Sequence, residues 1–510
     1  LTITAGAADV MKLDANSRIS LSNNDSDNTG NTIFGKSAWN NSSNNASDYN
    51  TIFGEGVMGT GAVAGAQLNV GVGYAAFEDL TDGGNNVAIG AGACRNLTTG
   101  DDNVAISTNS MYTTTTNSDC VAVGRDALFS LDGSDTNAAD GSVAVGYFAL
   151  RLLTSGIGNV AVGAYALDVN ATSDYNTAVG HQALSAVNGD STGGNTAVGR
   201  LAGASITSGI SNTAVGHVAL YQDDDGTGSV AVGSHALFTQ NIANAVSGNT
   251  GVGTEAGYFN ETGQNNTYVG SKAGQGASGD SNSNNTGVGK HALYVVEDGN
   301  DNVCVGRDSL SALTDANDNV AVGSLAGSTI TDGNGNTCVG YNSDTSASDS
   351  TNQIVLGADV SGSGDGTLTF GNSTSDTTCT NGATTWSNPS DVRIKKDIET
   401  STVGLSMIND LRPVNFKFKT KGEVDSDFYL YEKDSNESAG FTDKTVLGFV
   451  AQEVKSVIDN HAEYKGSELW LEGLELHDKR QRISQTALIP ILTKAIQELS
   501  AKVKELEDAQ

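Results

Sequence analysis

A short motif, Asn-(Val/Thr)-Ala-(Val/Ile)-Gly, returns along most of this chain at a nearly constant spacing. Its last position falls at 19 sites from residue 35 to residue 357, and 12 of the 18 intervals are 17 residues long, four are 19, and two are 20 and 22. A period this regular indicates a solenoid, in which each repeat forms one coil stacked on its neighbours. The clearest copies begin at Asn86, Asn159, Asn176, Asn195, Asn212 and Asn319.

The chemistry of each coil favours β-structure. β-Branched residues alternate with a small residue before the glycine, which predicts a short strand and a turn. Ala-Leu pairs follow several copies and predict a second short strand; they are Ala127-Leu128, Ala149-Leu150, Ala183-Leu184 and Ala219-Leu220. We therefore expect a mainly β fold, a parallel β-solenoid (β-roll) of about 17-residue coils. Ladders of Asn amides should join the coils, with glycine in turn conformations closed to other residues.

The composition changes near Pro389, and this predicts a domain boundary. All three prolines and most basic residues lie at or beyond Pro389, whereas nearly all glycines precede it. We predict a lead-in over residues 1–30, the solenoid over 31–357 and a Gly/Ser/Thr-rich neck over 358–389, with Trp386 as its anchor. Residues 390–510 should form a small α+β domain that ends in a helix over 484–507.

The charge of the chain argues against several functions. With 59 acidic and 27 basic residues, the net charge is −32, and no basic stripe is present to bind the phosphates of a nucleic acid. No run of about 18 apolar residues predicts a membrane-spanning helix. The first ten residues also lack the features of a signal peptide. We expect neither nucleic-acid binding nor membrane insertion.

Other polar features of the solenoid are weak signals for a site. The acidic clusters at 223–226 and 297–301 contain possible calcium ligands, but they lack EF-hand spacing and favour solvated loops, so we expect no metal or cofactor. Four histidines near the repeat glycines should face outward: His181, His217, His235 and His291. The cysteines include no close pair and suit small buried positions. No spacing identifies a carboxylate pair for glycan hydrolysis.

Four ordered blocks follow Pro389: 387–398, which contains Ser390-Asp391 and Lys395, then 411–416, 448–454 and 486–499. This set resembles the endosialidase-type C-terminal intramolecular chaperone, a self-cleaving serine peptidase that ends many phage tail fibres and tailspikes. The resemblance implies that Ser390 is the nucleophile, that Lys395 is its basic partner and that the cut falls between Pro389 and Ser390. A neutral Lys can accept the serine proton only if burial or nearby positive charge lowers its pKa, and Arg393 and Lys396 could supply charge.

The last helix carries a heptad-like line of apolar residues. Steps of three and four residues join Ile489, Leu492, Ile496, Leu499, Val503 and Leu506. This line supports oligomerisation, although the same pattern is typical of an amphipathic helix packed on its own domain. Pro490 must lie in the first turn or produce a kink. Peptide rules favour a dimer for this seam, so the homotrimer that we expect rests on the family resemblance.

The repeat resembles the β-roll heads of trimeric adhesins and the shafts of phage tail fibres. We expect no membrane anchor after the chaperone-like domain, which favours the phage interpretation over a cellular surface adhesin. The predicted function is host attachment by a virion tail protein that is assembled in the host cytoplasm. Its predicted partners are two further copies of itself, other tail proteins, and a host cell-surface glycan or protein. A tailspike that degrades polysaccharide is the other alternative.

Overall fold

A computed structural model gives the fold of the chain. It describes residues 2–5, 8–12, 17–20, 30–39, 47–59, 63–131, 139–189, 193–243, 246–373, 375–382, 392–426, 430–440, 442–461, 464, 469–471 and 481–509. The contacts divide the chain into two compact units, Leu1–Pro389 and Ser390–Gln510.

The described part of the first unit is built from short strands. Their bounds are β1 Thr2–Ala5, β2 Ala8–Lys12, β3 Ser17–Ser20, β4 Thr32–Lys36, β5 Thr51–Phe53, β6 Val70–Val72, β7 Val87–Ile89, β8 Val104–Ile106, β9 Val121–Val123, β10 Val143–Val145, β11 Val160–Val162, β12 Thr177–Val179, β13 Thr196–Val198, β14 Thr213–Val215, β15 Val230–Val232, β16 Thr250–Val252, β17 Thr267–Val269, β18 Thr286–Val288, β19 Val303–Val305, β20 Val320–Val322, β21 Thr337–Val339, β22 Ile354–Ala358, β23 Thr367–Asn372 and β24 Ser375–Thr380.

The strands from β3 to β24 form one long ladder, whereas β1 and β2 form a separate antiparallel pair. From β4 to β23 each strand pairs in parallel with the next one along the chain, in register, so that Val143 lies beside Val160 and Ala144 beside Ala161. At the two ends of the ladder, β3 and β24 pair antiparallel with their neighbours. The predicted parallel β-solenoid of about 17-residue coils is confirmed, and each of the 19 repeats supplies one strand of the ladder.

The alternation within the motif decides which side chains are buried. In each three-residue strand the middle residue points into the coil and is buried, as Ala88, Ala144 and Ala231 are, while the flanking residues point out. This follows from the two-residue period of a strand. The small middle residue leaves room for the larger apolar side chains that complete the interior, among them Leu128 and Leu150.

The prediction of a second strand at the Ala-Leu pairs is wrong. These pairs form turns, and their leucines have positive φ angles: 49° at Leu128, 48° at Leu150, 52° at Leu184 and 51° at Leu220. The left-handed conformation costs an L-residue about 1–2 kcal/mol. Burial of each leucine side chain offsets this with about 1.5–3 kcal/mol. The turns are also stacked, because the Leu128 amide donates to the Ala149 carbonyl of the next coil at 3.1 Å.

The predicted ladder of Asn amides is present. The backbone N–H of Asn86 donates to Asn69 Oδ1 at 2.9 Å, and that of Asn103 donates to Asn86 Oδ1 at 2.9 Å. The Nδ2 groups of Asn86 and Asn103 also donate to backbone carbonyls of the following coil, those of Gly100 and Asn117, each at 2.8 Å. These asparagines are fully buried, so the ladder satisfies polar groups that water cannot reach.

Cysteine and serine replace asparagine at some rungs of the ladder. The Cys120 N–H donates to Asn103 Oδ1 at 3.0 Å, and the Ser229 N–H donates to Asn212 Oδ1 at 2.9 Å. Cys304 and Cys338 take the place of the buried middle residue of their strands. The cysteines therefore act as small buried residues, as we expected, and burial raises the pKa of the Cys120, Cys304 and Cys338 thiols.

The last position of the motif strongly favours glycine, because the backbone of the 18 glycines there has φ between +134° and +148°. A Cβ added at Gly146 would lie 2.5 Å from the carbonyl oxygen of Gly163 in the next coil. Ser107 occupies the same position in its own coil with φ of 112°. Its backbone is displaced from the glycine value because the Cβ must be accommodated.

Replacing Ser107 by glycine is expected to stabilise the solenoid by about 1 kcal/mol. Glycine relieves the backbone strain at this φ, which costs about 1–3 kcal/mol. Part of this gain is lost because glycine also gives the unfolded chain more conformational entropy. Thermal unfolding followed by circular dichroism would measure the change. Gly146→Ser, which introduces the same strain at a glycine rung, should lower the transition. Equal transitions for Ser107→Gly and wild type would contradict this account of the strain.

Part of the stretch that we predicted as a neck carries regular structure. Residues Thr367–Asn372 continue the parallel ladder, and Ser375–Thr380 folds back antiparallel on them. Phe370 lies beside Leu356, so the outward apolar row extends one strand past the last motif. Trp386, the predicted anchor, lies outside the described residues.

The second unit combines short hairpins with helices. Its described elements are α1 Leu405–Asp410, β25 Val414–Phe416, β26 Val446–Gly448, α2 Ala451–Asn460, β27 Trp470–Leu471, β28 Arg482–Ile483 and α3 Leu488–Asp508. The strands form two antiparallel pairs, β25 with β26 and β27 with β28. The predicted terminal helix over 484–507 begins later, because a 3-10 turn at Gln485–Ala487 precedes α3. None of the described helices is long and apolar enough to cross a membrane.

Candidate active site

The bond between Pro389 and Ser390 lies where the two compact units meet in sequence. Pro389, Ser390 and Asp391, which contain the predicted cleavage site and nucleophile, lie outside the described residues. A cut at this bond would separate the whole solenoid unit from the whole C-terminal unit.

The predicted base, Lys395, directly follows one turn of 3-10 helix, Val392–Ile394. The Lys395 N–H donates to the Val392 carbonyl at 3.2 Å, which closes the turn. Arg393, Lys395 and Lys396 are all exposed in the single chain. The turn therefore gathers three cationic side chains within four residues, as the sequence predicted, but the single chain does not bury the Lys395 side chain.

Apolar side chains on both sides of Lys395 are also exposed. Val392 is 69% exposed and Ile398 is 64% exposed. The stretch from Val392 to Ile398 therefore presents both apolar and cationic side chains at the surface of the single chain.

The second unit has a small hydrophobic core of its own. Its buried members come from α1 and the residues before it, from α2, from the residue that precedes β27 and from α3: Val403, Met407, Val454, Ile458, Leu469, Leu488 and Ile491. The block 411–416 supplies β25, the block 448–454 ends β26 and begins α2, and the block 486–499 forms most of α3. These three sequence blocks therefore correspond to packed elements of the unit.

Two polar contacts join these elements, and no pattern in the sequence predicted either of them. The Arg412 guanidinium binds the Glu453 carboxylate, with Nε to Oε2 at 3.0 Å, and this ion pair holds the pKa of the exposed Glu453 carboxyl below its usual range. The Leu405 N–H at the start of α1 donates to Glu498 Oε2 of α3 at 2.8 Å. A carboxylate at a helix N-terminus is favourable, and Gly404 supplies no side-chain cap. Arg412 and Glu453 stood inside the recognised blocks, but nothing in their spacing linked them.

Helix α3 has two apolar faces. One face, with Leu488, Ile491 and Ala495, is buried against the core. The other is the predicted seam, which is exposed along its whole length: Ile489 61%, Leu492 42%, Ile496 66%, Leu499 52%, Val503 47% and Leu506 67%. The alternative that these six residues pack on their own domain is therefore wrong. Pro490 lies in the first turn of the helix, as required.

The polar side chains of the solenoid include the possible metal ligands noted in the sequence. No three His, Cys, Asp or Glu side chains among the described residues are grouped to hold a metal ion. His181 and His217 are exposed and His235 and His291 half-buried, all at the surface as expected. His291 Nδ1 lies 3.0 Å from Asp308 Oδ1 of the next coil, so this histidine bridges two rungs.

One residue of the acidic cluster 223–226 is not solvated as we expected. Asp223 is fully buried, where its carboxylate accepts hydrogen bonds from Gln240 Nε2 at 2.9 Å and from the Gly226 N–H at 3.2 Å. Burial raises the pKa of the Asp223 carboxyl to about 6, although these hydrogen bonds lower it. The adjacent Asp224 and Asp225 bond to threonine and serine of the preceding coil instead.

The raised pKa of Asp223 predicts a pH dependence of stability. Between about pH 4 and pH 6 the folded state holds a proton that the unfolded state has released, so the free energy of unfolding should fall as the pH rises through this window. The protonation of Asp223 should change the free energy of unfolding by about 2–3 kcal/mol across this pH window. Urea unfolding of wild type and Asp223→Asn from pH 4 to 7 measures it. Parallel profiles for the two proteins would contradict the assignment.

Comparison with known proteins bears on the C-terminal unit. Residues 390–463 match the family model described as chaperone of endosialidase. The match begins at the predicted nucleophile, confirms the resemblance inferred from the motif blocks, and implies a chaperone domain of the self-cleaving serine peptidase type. No curated protein and no solved structure is significantly similar to the chain. A 19-coil β-solenoid followed by this domain fits a protein of the tail fibre or tailspike type.

Proposed function

Because a chaperone-of-endosialidase segment at residues 390–463 follows a long β-solenoid, we propose that the protein is a homotrimeric phage tail fibre or spike. Its solenoid attaches to a glycan or protein of the host cell surface. Its C-terminal unit directs trimerisation and folding in the host cytoplasm and then cleaves itself off between Pro389 and Ser390. The observation that carries the proposal is the start of the family match at Ser390, where the two compact units divide.

The cleavage requires only the chain itself and water. Neutral Lys395 accepts the hydroxyl proton as Ser390 Oγ attacks the carbonyl carbon of Pro389. The C–N bond breaks, the Ser390 nitrogen takes the proton from Lys395, and Pro389 is left as an ester on Oγ. Water hydrolyses this ester, which yields the Pro389 carboxylate and restores the hydroxyl. Each chain thus cuts once, because the nucleophile departs with the released unit.

The exposure of Lys395 supports a link between cleavage and assembly. A lysine acts as a base only in its neutral form, and burial disfavours the charged form. Val392 and Ile398 provide the apolar surroundings that a neighbouring chain would cover. We infer that trimerisation buries this turn and activates Lys395, so that cleavage follows assembly.

The repeat itself gives a reason for a chaperone. Nearly identical coils allow three chains to associate one coil out of register at little cost, and such slipped assemblies are kinetic traps. A C-terminal clamp that trimerises through the exposed seam of α3 would align the chains before the solenoids pair. Removal of the clamp then leaves a shaft protected by a high unfolding barrier.

A chain that ends at Pro389 tests the chaperone role. We expect it to aggregate or to give a broad distribution of masses, because nothing aligns the solenoids. Full-length Ser390→Ala is the matched control, since it keeps the clamp without the cut and should give uniform trimers. Soluble, well-aligned trimers of residues 1–389 alone would contradict the chaperone role. Neighbouring genes for virion components would support the phage assignment, and genes for a cell-surface export system would contradict it.

A further inference from the structure

The turns that follow the motifs collect the cationic side chains of the solenoid. We call the five residues after each motif's last position, taken together along the solenoid, the turn edge. Between residues 30 and 357 the chain has eight Lys and Arg residues, and all of them lie on the turn edge: Lys36, Arg95, Arg125, Arg151, Arg200, Lys272, Lys290 and Arg307. The segment that precedes each motif carries acidic residues instead, such as Asp101, Asp174 and Asp298.

Most cations of the turn edge are paired with carboxylates. Lys272 Nζ lies 3.3 Å from Glu255 Oε2, and Arg125 Nε lies 3.3 Å from Asp126 Oδ2. Carboxylates also pair with Lys36, Arg95 and Arg307. The turn edge is therefore rich in hydrogen-bond donors and acceptors but carries little net positive charge. With a net charge of −32 on the whole chain, such an edge suits a neutral ligand better than an anionic one.

Aromatic rings form two adjoining rows along the turn edge. In the first two positions of the turn, the rings of Tyr165 and His181 have centroids 6.0 Å apart. At the fifth position, Tyr221 stacks on Phe238 of the next coil with centroids 5.3 Å apart. The His235 ring lies 5.4 Å from the Phe238 ring, so the fifth position is beside the first row.

The row at the fifth position is interrupted in the middle of the solenoid. Ser185 and Ala204 occupy this position in two consecutive coils, and neither side chain is large enough to continue the row. A recess of about 660 Å³, within the range of small-ligand sites, is lined in part by Ser185. None of the described residues that line it carries a charge, and they include Val169, Ser185, Ala186, Asn188, Thr207 and Ser208.

A sugar matches both the recess and the rings beside it. Its C–H faces stack on the electron-rich faces of aromatic rings, and its hydroxyl groups both donate and accept hydrogen bonds. Tyr221 stacks on Phe238 with one face, and the residue at its position in the preceding coil is the small Ala204, so a sugar ring can reach the other face. The hydroxyl and amide groups of Ser185 and Asn188 then meet the hydroxyls of the sugar.

We propose that the recess at Ser185, with the flanking rings of the turn edge, binds a neutral glycan of the host cell surface. The inference rests on the proposed attachment function and adds its site and the chemical class of its ligand. Tyr165 and His181 lie on two of the coils that form the recess, so the first row of rings extends the site along the solenoid.

Filling the recess in the full-length protein tests the inference. Ser185→Tyr introduces the residue that Tyr112 and Tyr221 supply at the same position of other coils, so the turn can accommodate it. Ser311→Tyr is the matched control, because Ser311 is equally half-buried at this position of a coil outside the recess. Fluorescently labelled protein is applied to a panel of bacterial strains. On a strain that wild type labels, Ser185→Tyr should bind at least about tenfold more weakly, and Ser311→Tyr should bind like wild type.

Treatment of the same cells identifies the class of ligand. Periodate, which cleaves the vicinal diols of sugars, should abolish the labelling, whereas proteinase K should not. The labelling should also change little with ionic strength, because the glycan is neutral. Wild-type binding by Ser185→Tyr, loss of labelling after proteinase K, or loss at high salt would overturn the neutral-glycan site and leave attachment intact. A wild-type protein that labels no strain would overturn the attachment function and the site with it.

Discussion

Replacing Ile496 and Leu499 by lysine is expected to leave the full-length protein monomeric and uncleaved. Both side chains are more than half exposed on the seam of α3, so the substitutions leave the core of the C-terminal unit intact. In a helical bundle the same residues would be buried against their counterparts, where unpaired lysines are strongly unfavourable. Because we infer that assembly activates Lys395, loss of the trimer should also prevent the cut.

Light scattering and denaturing gels measure both effects. Gln497→Lys with Ser500→Lys is the matched control, because it adds the same two charges to α3 next to the seam at exposed positions. This control should assemble and cleave like wild type. Trimeric, cleaved Ile496→Lys/Leu499→Lys would contradict the role of the seam, and a monomer that still cleaves would contradict the link between assembly and cleavage.

Replacing Asn302 by leucine is expected to lower the free energy of unfolding of the solenoid by about 4 kcal/mol, since each buried polar group left without a partner costs about 1–3 kcal/mol. The substitution removes the acceptor of the Asn319 N–H, at 3.0 Å, and the donor to the Ala316 carbonyl, at 2.8 Å. Leucine has the same number and branching of side-chain heavy atoms as asparagine, so the loss reports mainly on hydrogen bonding. Urea unfolding followed by circular dichroism measures it.

Asn302→Ser keeps a hydrogen-bond acceptor at this rung but removes the amide donor of the asparagine side chain. Serine occupies the equivalent rung at Ser142, where its Oγ lies 3.4 Å from the Asn159 N–H, and it is buried there as well. Asn302→Ser should therefore destabilise the solenoid less than Asn302→Leu. Equal unfolding curves for Asn302→Leu and wild type would show that the ladder contributes nothing to stability.

The positions of the strands in the solenoid were predictable because one local rule recurs 19 times. Alternation places the middle residue inside, and the glycine at the end has a φ that only glycine adopts easily. The turn at the Ala-Leu pairs was not predictable by the same rule. Leu128 is an apolar residue of the kind found in strands. Its left-handed conformation is stable only because neighbouring coils bury its side chain and a carbonyl of the next coil accepts a hydrogen bond from its N–H.

In the candidate site, too, local sequence patterns predicted some features and missed others. The motif blocks identified the chaperone-like segment and its expected residues Ser390 and Lys395, because these lie close together in sequence. The bond from the Leu405 N–H to Glu498 joins residues 93 positions apart, and the buried face of α3 with Ile491 depends on how the helix packs. Contacts over such distances are set by the tertiary fold, which no local pattern specifies.

The measurement that tests the central claim most directly is the intact mass of the purified full-length chain, together with a denaturing gel. Wild type should separate into two products that end at Pro389 and begin at Ser390. Ser390→Ala and Lys395→Ala should each remain a single chain, since one lacks the nucleophile and the other the base. A wild-type chain that stays whole after assembly, or variants that are cut at the same bond, would contradict the claim that this unit cleaves itself from the solenoid.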